Sequence, residues 1–436
     1  MQNPLKQIVK AQKEGRAVGI YSCCSANEYV IRAALLKGKK DNSCVLIEST
    51  ANQCDQYGGY TGMKPADFKA FVEDIAKEIG FDTNKLFLGG DHLGPLTFTS
   101  LNEEEAMKEA DELIRCYVSA GFTKIHIDTS MRVKDDDVNT RLSDETIARR
   151  GARLAKVAEE AYAKLLETNP DAIEPVYIVG SEVPIPGGAQ GAVDEGVQVT
   201  KPEDFKATLN TFEKAFKDNG LDHAWSNVIG IVVQPGVEEK DSGCTEYDRA
   251  KAVDLCAAIR DYDNIVFEGH STDYHTKIKL REMVEDGIAI LKVGPGFTFM
   301  MRQALFALAD IENELLKDKA SHFKDVLDAA MLKDTKYWSK HYIGTEEEVA
   351  LKRKYSFSDR CRYYMPVPEV KQAMQTMIQN LRTNGIPLNL LTQYMPIQYT
   401  RVREGLLEND PEALIVDRIC DSIDEYLYAT HQSELF

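Results

Sequence analysis

Short runs of apolar and β-branched residues alternate with longer amphipathic stretches over most of this chain. That pattern yields strands and helices in turn and, through them, a parallel sheet. Eight runs read as strands: residues 17–22, 44–48, 86–90, 124–128, 176–181, 228–233, 264–268 and 289–293. Between them the apolar spacing predicts helices at 65–79, 103–120, 146–168, 202–219 and 245–262. Eight βα units closing on themselves predict an α/β fold, a (β/α)8 barrel. An open doubly wound sheet would place a Gly-rich turn directly after its first strand, but the segment there reads SCCSANEYV. Past the eighth strand the alternation stops, and 299–316 with the residues beyond predict helices joined by aromatic-rich loops. We therefore expect a barrel over 1–310 and a helical C-terminal extension over 311–436 packed on it.

A length of 436 residues suits that division, since single cores stop growing at about 250–300 residues. A formal net charge of -18 excludes an extended nucleic-acid surface, which needs clustered Lys and Arg, but is compatible with a small local anion site. No apolar run has the length of a signal-peptide core or a membrane span, so a cytoplasmic protein without a membrane partner is expected. Nine cysteines, an odd number without framework spacing, predict reduced thiols, and Cys23-Cys24 lacks the two-residue spacer of a redox pair.

In a barrel of this kind functional side chains gather where strands end, because inward-pointing residues there face the open mouth. Polar residues collect at those points: Glu48 and Ser49, Asp91 and His92, His126 and Asp128, Ser181 and Glu182, Gln234, Glu268, His270 and Ser271. Within KIHID the period of two puts Lys124, His126 and Asp128 on one face and Ile125 and Ile127 on the other. An inward polar trio is costly unless its members pair with each other, a metal or a substrate. Asp128, at the open end, is the member with a candidate catalytic role. His92, Glu182 and His270 could give a divalent ion three protein ligands and leave one position for substrate. Local spacing carries no metal motif, and hydrogen-bonded histidines remain the alternative. Asp91, beside a candidate ligand, is placed to move a proton while a metal polarises a carbonyl. Phosphate or sugar would fall to the loops after strands seven and eight, GHSTDY and KVGPGFTF, which supply Ser271, Asp273 and Gly294. Glu48, Ser49 and Gln234 complete the candidate substrate set, and Arg360 and Arg362 offer a further anion contact. His223, His275, His322, His341 and His431 read as ordinary surface residues.

Nine segments carry a resemblance: ESTANQCDQYGGYTGM (48–63), GGDHLGP (89–95), KIHIDTSM (124–131), GSEVPIPGG (180–188), VVQPGVE (232–238), FEGHSTDY (267–274), LKVGPGFTF (291–299), YSFSDRCRYY (355–364) and LLTQYMPIQY (390–399). Together they resemble the GatZ/KbaZ family, the subunit that accompanies class II tagatose-1,6-bisphosphate aldolase. The resemblance implies a TIM barrel related to the zinc-dependent ketose-bisphosphate aldolases, acting in galactitol, galactosamine or tagatose breakdown. It further implies Zn2+, Mn2+ or another divalent ion as cofactor, a ketose or ketose phosphate as substrate, and a catalytic aldolase subunit as partner; a homo-oligomer is also compatible. Set beside the catalytic aldolases, the Asp-His pair is kept as Asp91-His92, while the later two histidine positions hold Glu182 and Glu268, with His270 two residues on. Glu268 is thus an alternative ligand. Ser49 and Asp128 fall where those relatives keep a substrate-contacting Ser and an Asp. Three readings stand open: an aldolase subunit with a metal-capable site, an enzyme in its own right by aldol cleavage or C4 epimerisation, and a stabilising partner without turnover. Kinase chemistry is not expected, because the chain has no Walker A phosphate loop.

Overall fold

The structure, a computed structural model, describes residues 1–181 and 197–435. Eight parallel strands close into a barrel: β1 Ile20–Cys24, β2 Val45–Thr50, β3 Leu86–Leu93, β4 Lys124–Ile127, β5 Val176–Val179, β6 Val228–Val233, β7 Val266–Gly269 and β8 Ile288–Val293. Each pairs with its neighbours in sequence, and β8 closes onto β1 through Ile20↔Ile290 and Cys23↔Val293. All eight runs read from the sequence are strands, with shifted ends. The largest shift decides the site: β3 continues through Asp91 and His92 to Leu93, with its register against β4 slipping between Gly90 and Leu93. His92 sits there at φ 51, so the slip is a local bulge that re-aims this residue. Gly94 follows it for a steric reason, since a Cβ there would stand 1.8 Å from the Asp128 carbonyl oxygen.

Helices fall close to their predicted spans because capping residues delimit them. Pro at the first turn and Gly80 in the left-handed region bound Pro65–Ile79. Asn102 caps Glu103–Ser119, and Ser143 starts the next helix at Asp144. The span predicted over 245–262 is shorter, Arg249–Ala258, because Glu238–Glu239 and Cys244–Thr245 pair as an antiparallel ribbon ahead of it.

After β8 the chain enters the helix Pro295–Leu316, which runs through residue 310. The last long helix, Pro411–Thr430, returns to pack against Pro295–Leu316, Glu28–Asp41 and Lys277–Glu285. The Thr430 carbonyl accepts from the Gly19 N–H, and Gln432 links the Tyr21 N–H to the Cys44 carbonyl. Tyr426 packs its ring against Tyr21 and Phe297. The C-terminal region thereby covers the outer side of β1 and completes the helical layer.

Inside the barrel the lower level is apolar. Ile20, Leu46, Phe87, Val176, Ile178, Val266 and Ile290 form one buried cluster with Leu5, Ile8 and Val9 of the N-terminal segment, whose helix Lys6–Lys13 stoppers that end. The outer faces of the strands, Ile47, Ile125, Ile127, Tyr177, Ile231 and Phe267 among them, belong to the larger core beneath the helices.

Candidate functional site

One step further along the same strands the interior becomes ionic. Lys124 Nζ lies 2.7 Å from Glu48 Oε1 and 2.7 Å from Glu268 Oε2. Lys292 pairs with the other Glu48 oxygen and stands 2.9 Å from Asp91 Oδ1. All five residues are buried. The period of two explains the placement: Ile290 and Lys292 share the inward face of β8, as Leu46 and Glu48 do on β2. Burial opposes the charge on Lys292, yet the carboxylates around it win and hold its ammonium well above the usual lysine range. Lys292 was not among the residues singled out from the sequence.

Above this lattice stand three imidazoles. The ring centroids of His92, His126 and His270 are 5.1, 5.2 and 5.3 Å apart, an almost equilateral triangle. A carboxylate orients each ring. His126 Nδ1 is 2.8 Å from Asp91 Oδ1, His92 Nδ1 is 2.7 Å from Asp128 Oδ2, and His270 Nε2 is 3.0 Å from Glu268 Oε1. Asp128 is itself held by the Ser130 N–H and hydroxyl at 3.0 and 2.6 Å. The electrostatics follow from these pairs. Burial pushes Asp128 up, but the hydrogen bond and charge of His92 overcome it and bring its carboxyl down to about 2. Asp91, also buried, is held well below the usual range by His92, Lys292 and His126. Burial drives His270 down to about 4, which keeps it a neutral imidazole.

These donors fit a divalent ion. His126 Nε2 is buried and has no hydrogen-bond partner among the described residues. Its other nitrogen is fixed by a carboxylate, as is that of His92, the arrangement that orients histidine ligands in metal sites. Donor atoms of Asp91, His126, Glu268 and His270 all lie within 4.8 Å of one another. Of the ligands read from the sequence, His92 and His270 come together here, Glu268 supports His270, and Glu182 lies outside the described residues. His126 completes the group. Its inward direction was legible in KIHID, but its proximity to His270 depends on barrel closure.

The mouth over this cluster is lined by Cys24, Asn52, Gln53, Glu239, Ser271, Asp273, Gly294, Arg362 and Tyr363, with Asp91, His92 and Lys292 at its floor. Ser271, Asp273 and Gly294, read from the sequence as candidate substrate contacts, are among the residues that line this mouth. Glu48 lies below, inside the ionic lattice. Ser49 is on the outer face of β2, its hydroxyl 2.9 Å from the Tyr117 hydroxyl. Gln234 closes its own loop, accepting from the Gly236 and Val237 N–H groups. His275 is buried rather than on the surface, within 3.1 Å of the carbonyls of Thr272, Asp273 and Thr245, and so braces the loop after β7. Glu239 entered no sequence reading; it comes from the short ribbon after β6, which carried no strand signal. Arg362 brings the C-terminal region into the mouth. Its NH1 donates to the Ser358 carbonyl at 2.6 Å and its NH2 to the Tyr363 hydroxyl at 3.0 Å.

A family profile described as D-tagatose-1,6-bisphosphate aldolase subunit GatZ/KbaZ-like matches residues 5–431. Among solved structures, a Sinorhizobium meliloti 1021 protein described as a probable tagatose 6 phosphate kinase is 42% identical, with a TM-score of 0.86 over 94% of this chain and 100% of that one. A fructose-bisphosphate aldolase from Campylobacter jejuni is 16% identical, with a TM-score of 0.42 over 88% of this chain and 94% of that one, a likeness too low to bear on chemistry.

Proposed function

Because this chain belongs to the D-tagatose-1,6-bisphosphate aldolase subunit GatZ/KbaZ-like family, we propose that its barrel mouth takes a ketose or ketose phosphate around a divalent ion held by His126, His270 and Glu268, with His92 at the third corner of the imidazole triangle. The reaction is cleavage or re-formation of the bond beside the sugar hydroxyl, as aldol cleavage or as C4 epimerisation. The single observation that carries this reading is the triangle of three carboxylate-oriented imidazoles with the unpartnered His126 Nε2. When bound, zinc, manganese or another divalent ion supplies Lewis acidity to the ketose carbonyl.

The chain's own residues supply the rest. Asp91 is kept ionised by Lys292 and two histidines, so it meets the substrate as a base and takes the proton of a sugar hydroxyl at its Oδ2, the oxygen 3.7 Å from His92 Nε2. Asp128 holds the His92 ring, and Glu268 holds His270. Lys124 and Lys292 keep the carboxylates beneath the site from repelling one another. Elemental analysis, combined with incubation of D-tagatose, D-fructose and their phosphates with and without chelator, tests the proposal. Stoichiometric metal and chelator-sensitive product formation are expected; a metal-free, inactive chain would overturn it.

The family's description as an aldolase subunit favours a second reading, in which the chain works by associating with a catalytic class II aldolase. Its test is co-purification with that partner and a rise in the partner's activity or half-life. A cytoplasmic setting suits both readings, and no described helix is long and apolar enough to cross a membrane.

A further inference from the structure

We propose that Asp273 and Glu239 make the far end of this site select an unphosphorylated ketose, taking sugar hydroxyls where a phosphate would otherwise be held. The inference rests on the reading that a ketose occupies the mouth, and it names which chemical form enters.

In eight-stranded barrels a phosphate is commonly held by the loops after the last two strands and by the N-terminus of a helix, through backbone N–H groups. Here those groups are already engaged. The helix Pro295–Leu316 begins at the mouth, and the Gly296 N–H donates to Asp273 Oδ1 at 2.7 Å while the Gly294 N–H donates to Oδ2 at 3.2 Å. Gly296 is built for this seat, since a Cβ at that position would come within 2.7 Å of the same carboxylate oxygen. An arriving phosphate would have to displace a carboxyl group that the chain itself provides.

Glu239 is the independent observation. It is 4% exposed, lines the same mouth, and its Oε2 has no hydrogen-bond partner among the described residues. A buried acceptor without a donor calls for one, and a sugar hydroxyl supplies it. A phosphate oxygen does not, and a dianion would further oppose the ionisation of two carboxyl groups that burial already holds above the usual carboxylate range. The cations nearby do not reverse the balance. Lys292 is paired with Glu48 and Asp91, and the charge of Arg362, whose hydrogen bonds go to the neutral Ser358 carbonyl and Tyr363 hydroxyl, is set against Asp273 and Glu239 themselves. The stretch 182–196 contains no Lys or Arg in its sequence.

The experiment is calorimetric titration of the metal-loaded full chain and its Asp273→Ser and Asp273→Asn variants. The probes are inorganic phosphate, D-tagatose, D-tagatose 6-phosphate and D-tagatose 1,6-bisphosphate. The bisphosphate carries a phosphate at both ends, so the result does not depend on the direction in which the sugar lies. Wild type should bind D-tagatose at least about tenfold more tightly than the bisphosphate, given the cost of placing like charges together, and should not bind inorganic phosphate. Asp273→Ser frees two N–H groups and should gain phosphate binding while losing affinity for the free sugar. Asp273→Asn keeps an acceptor for the Gly296 N–H without the charge and should narrow the preference even if the serine variant does not fold. Tighter binding of the bisphosphate by wild type, or an unchanged ratio in the variants, overturns the proposal. If no ketose binds in any form, the reading of the mouth fails, and the phosphate arm still decides the role of Asp273: gain in the serine variant supports exclusion, and no gain overturns it.

Discussion

At the level of Ile20, Leu46, Phe87, Val176 and Ile290 the barrel interior is apolar and stoppered by an N-terminal helix. At the next level of the same strands it holds Glu48, Lys124, Glu268 and Lys292, and above them Asp91, His126 and His270. Burial does not separate the two levels, since both are almost fully sealed from solvent. What separates them is how each responds to change. An apolar layer stabilises through the area it removes from water, so trimming it opens a cavity. A buried ionic lattice gains little over an apolar layer of the same volume, yet loses heavily when one partner is removed. A barrel has no structural need for the second kind of interior, which fits the proposal that the charges at the upper level serve a ligand entering the mouth.

The sharpest separation is expected from Asp91→Asn. It leaves the shape intact, removes the proposed base, and should lower kcat by about 10²–10⁴-fold, the range general base catalysis supplies. Product formation from D-tagatose or its phosphates, with unfolding followed in parallel, checks this. Retained turnover would break the assignment of chemistry to the upper level. Next comes Lys124→Met, which leaves Glu48 and Glu268 without their shared cation and should cost about 3–5 kcal/mol in urea unfolding. Adding Glu268→Leu should recover most of that loss, because the charge and its partner are then removed together. A double variant as unstable as the single one would mean that the lattice is a true source of stability. At the lower level Leu46→Ala should cost about 2–5 kcal/mol by leaving a cavity. The fraction that remains folded should turn over normally, because Leu46 touches none of the proposed chemistry.

The sequence conveyed these two levels unequally. Strand order, the eightfold alternation and the inward face of KIHID were legible because they are local: a period of two fixes which side chains share a face before any tertiary contact forms. The same parity bears on β2, where Glu48 facing inward obliges Ser49 to face the helices, as its contact with Tyr117 confirms. The histidine triangle was harder to see. His92 reaches it through a bulge in β3 whose register slip leaves no compositional trace, and His126 meets His270 only because β4 and β7 face each other across the closed barrel. Lys292 lies in an apolar run, where one lysine gives no sign that two carboxylates from other strands will meet it. Glu239 sits on a two-residue ribbon, too short for a strand signal. The docking of Pro411–Thr430 over β1 is a contact across some 400 residues, about which local periodicity says nothing.

The smallest expected effect also distinguishes the two levels, since only the upper one titrates. Burial, and then the neighbouring Glu239, push Asp273 up to about 7. Its folded pKa therefore lies above the unfolded value of about 3.9, and between these limits the folded state holds a proton that the unfolded state has released. Stability should accordingly fall as pH rises from about 4 to 7. His270, pushed down to about 4, acts in the opposite direction between that value and about 6.5, because there the unfolded state binds the extra proton. The net slope of the metal-free wild type is thus a partial cancellation, and the informative quantity is its difference from a variant. Asp273→Asn removes the falling contribution, so its urea midpoint should rise more steeply, or fall less, across this interval than that of wild type. Leu46→Ala should shift the whole curve downward without changing its slope. Parallel curves for wild type and Asp273→Asn would move the titration away from Asp273 and remove the electrostatic difference between the mouth and the floor of the barrel.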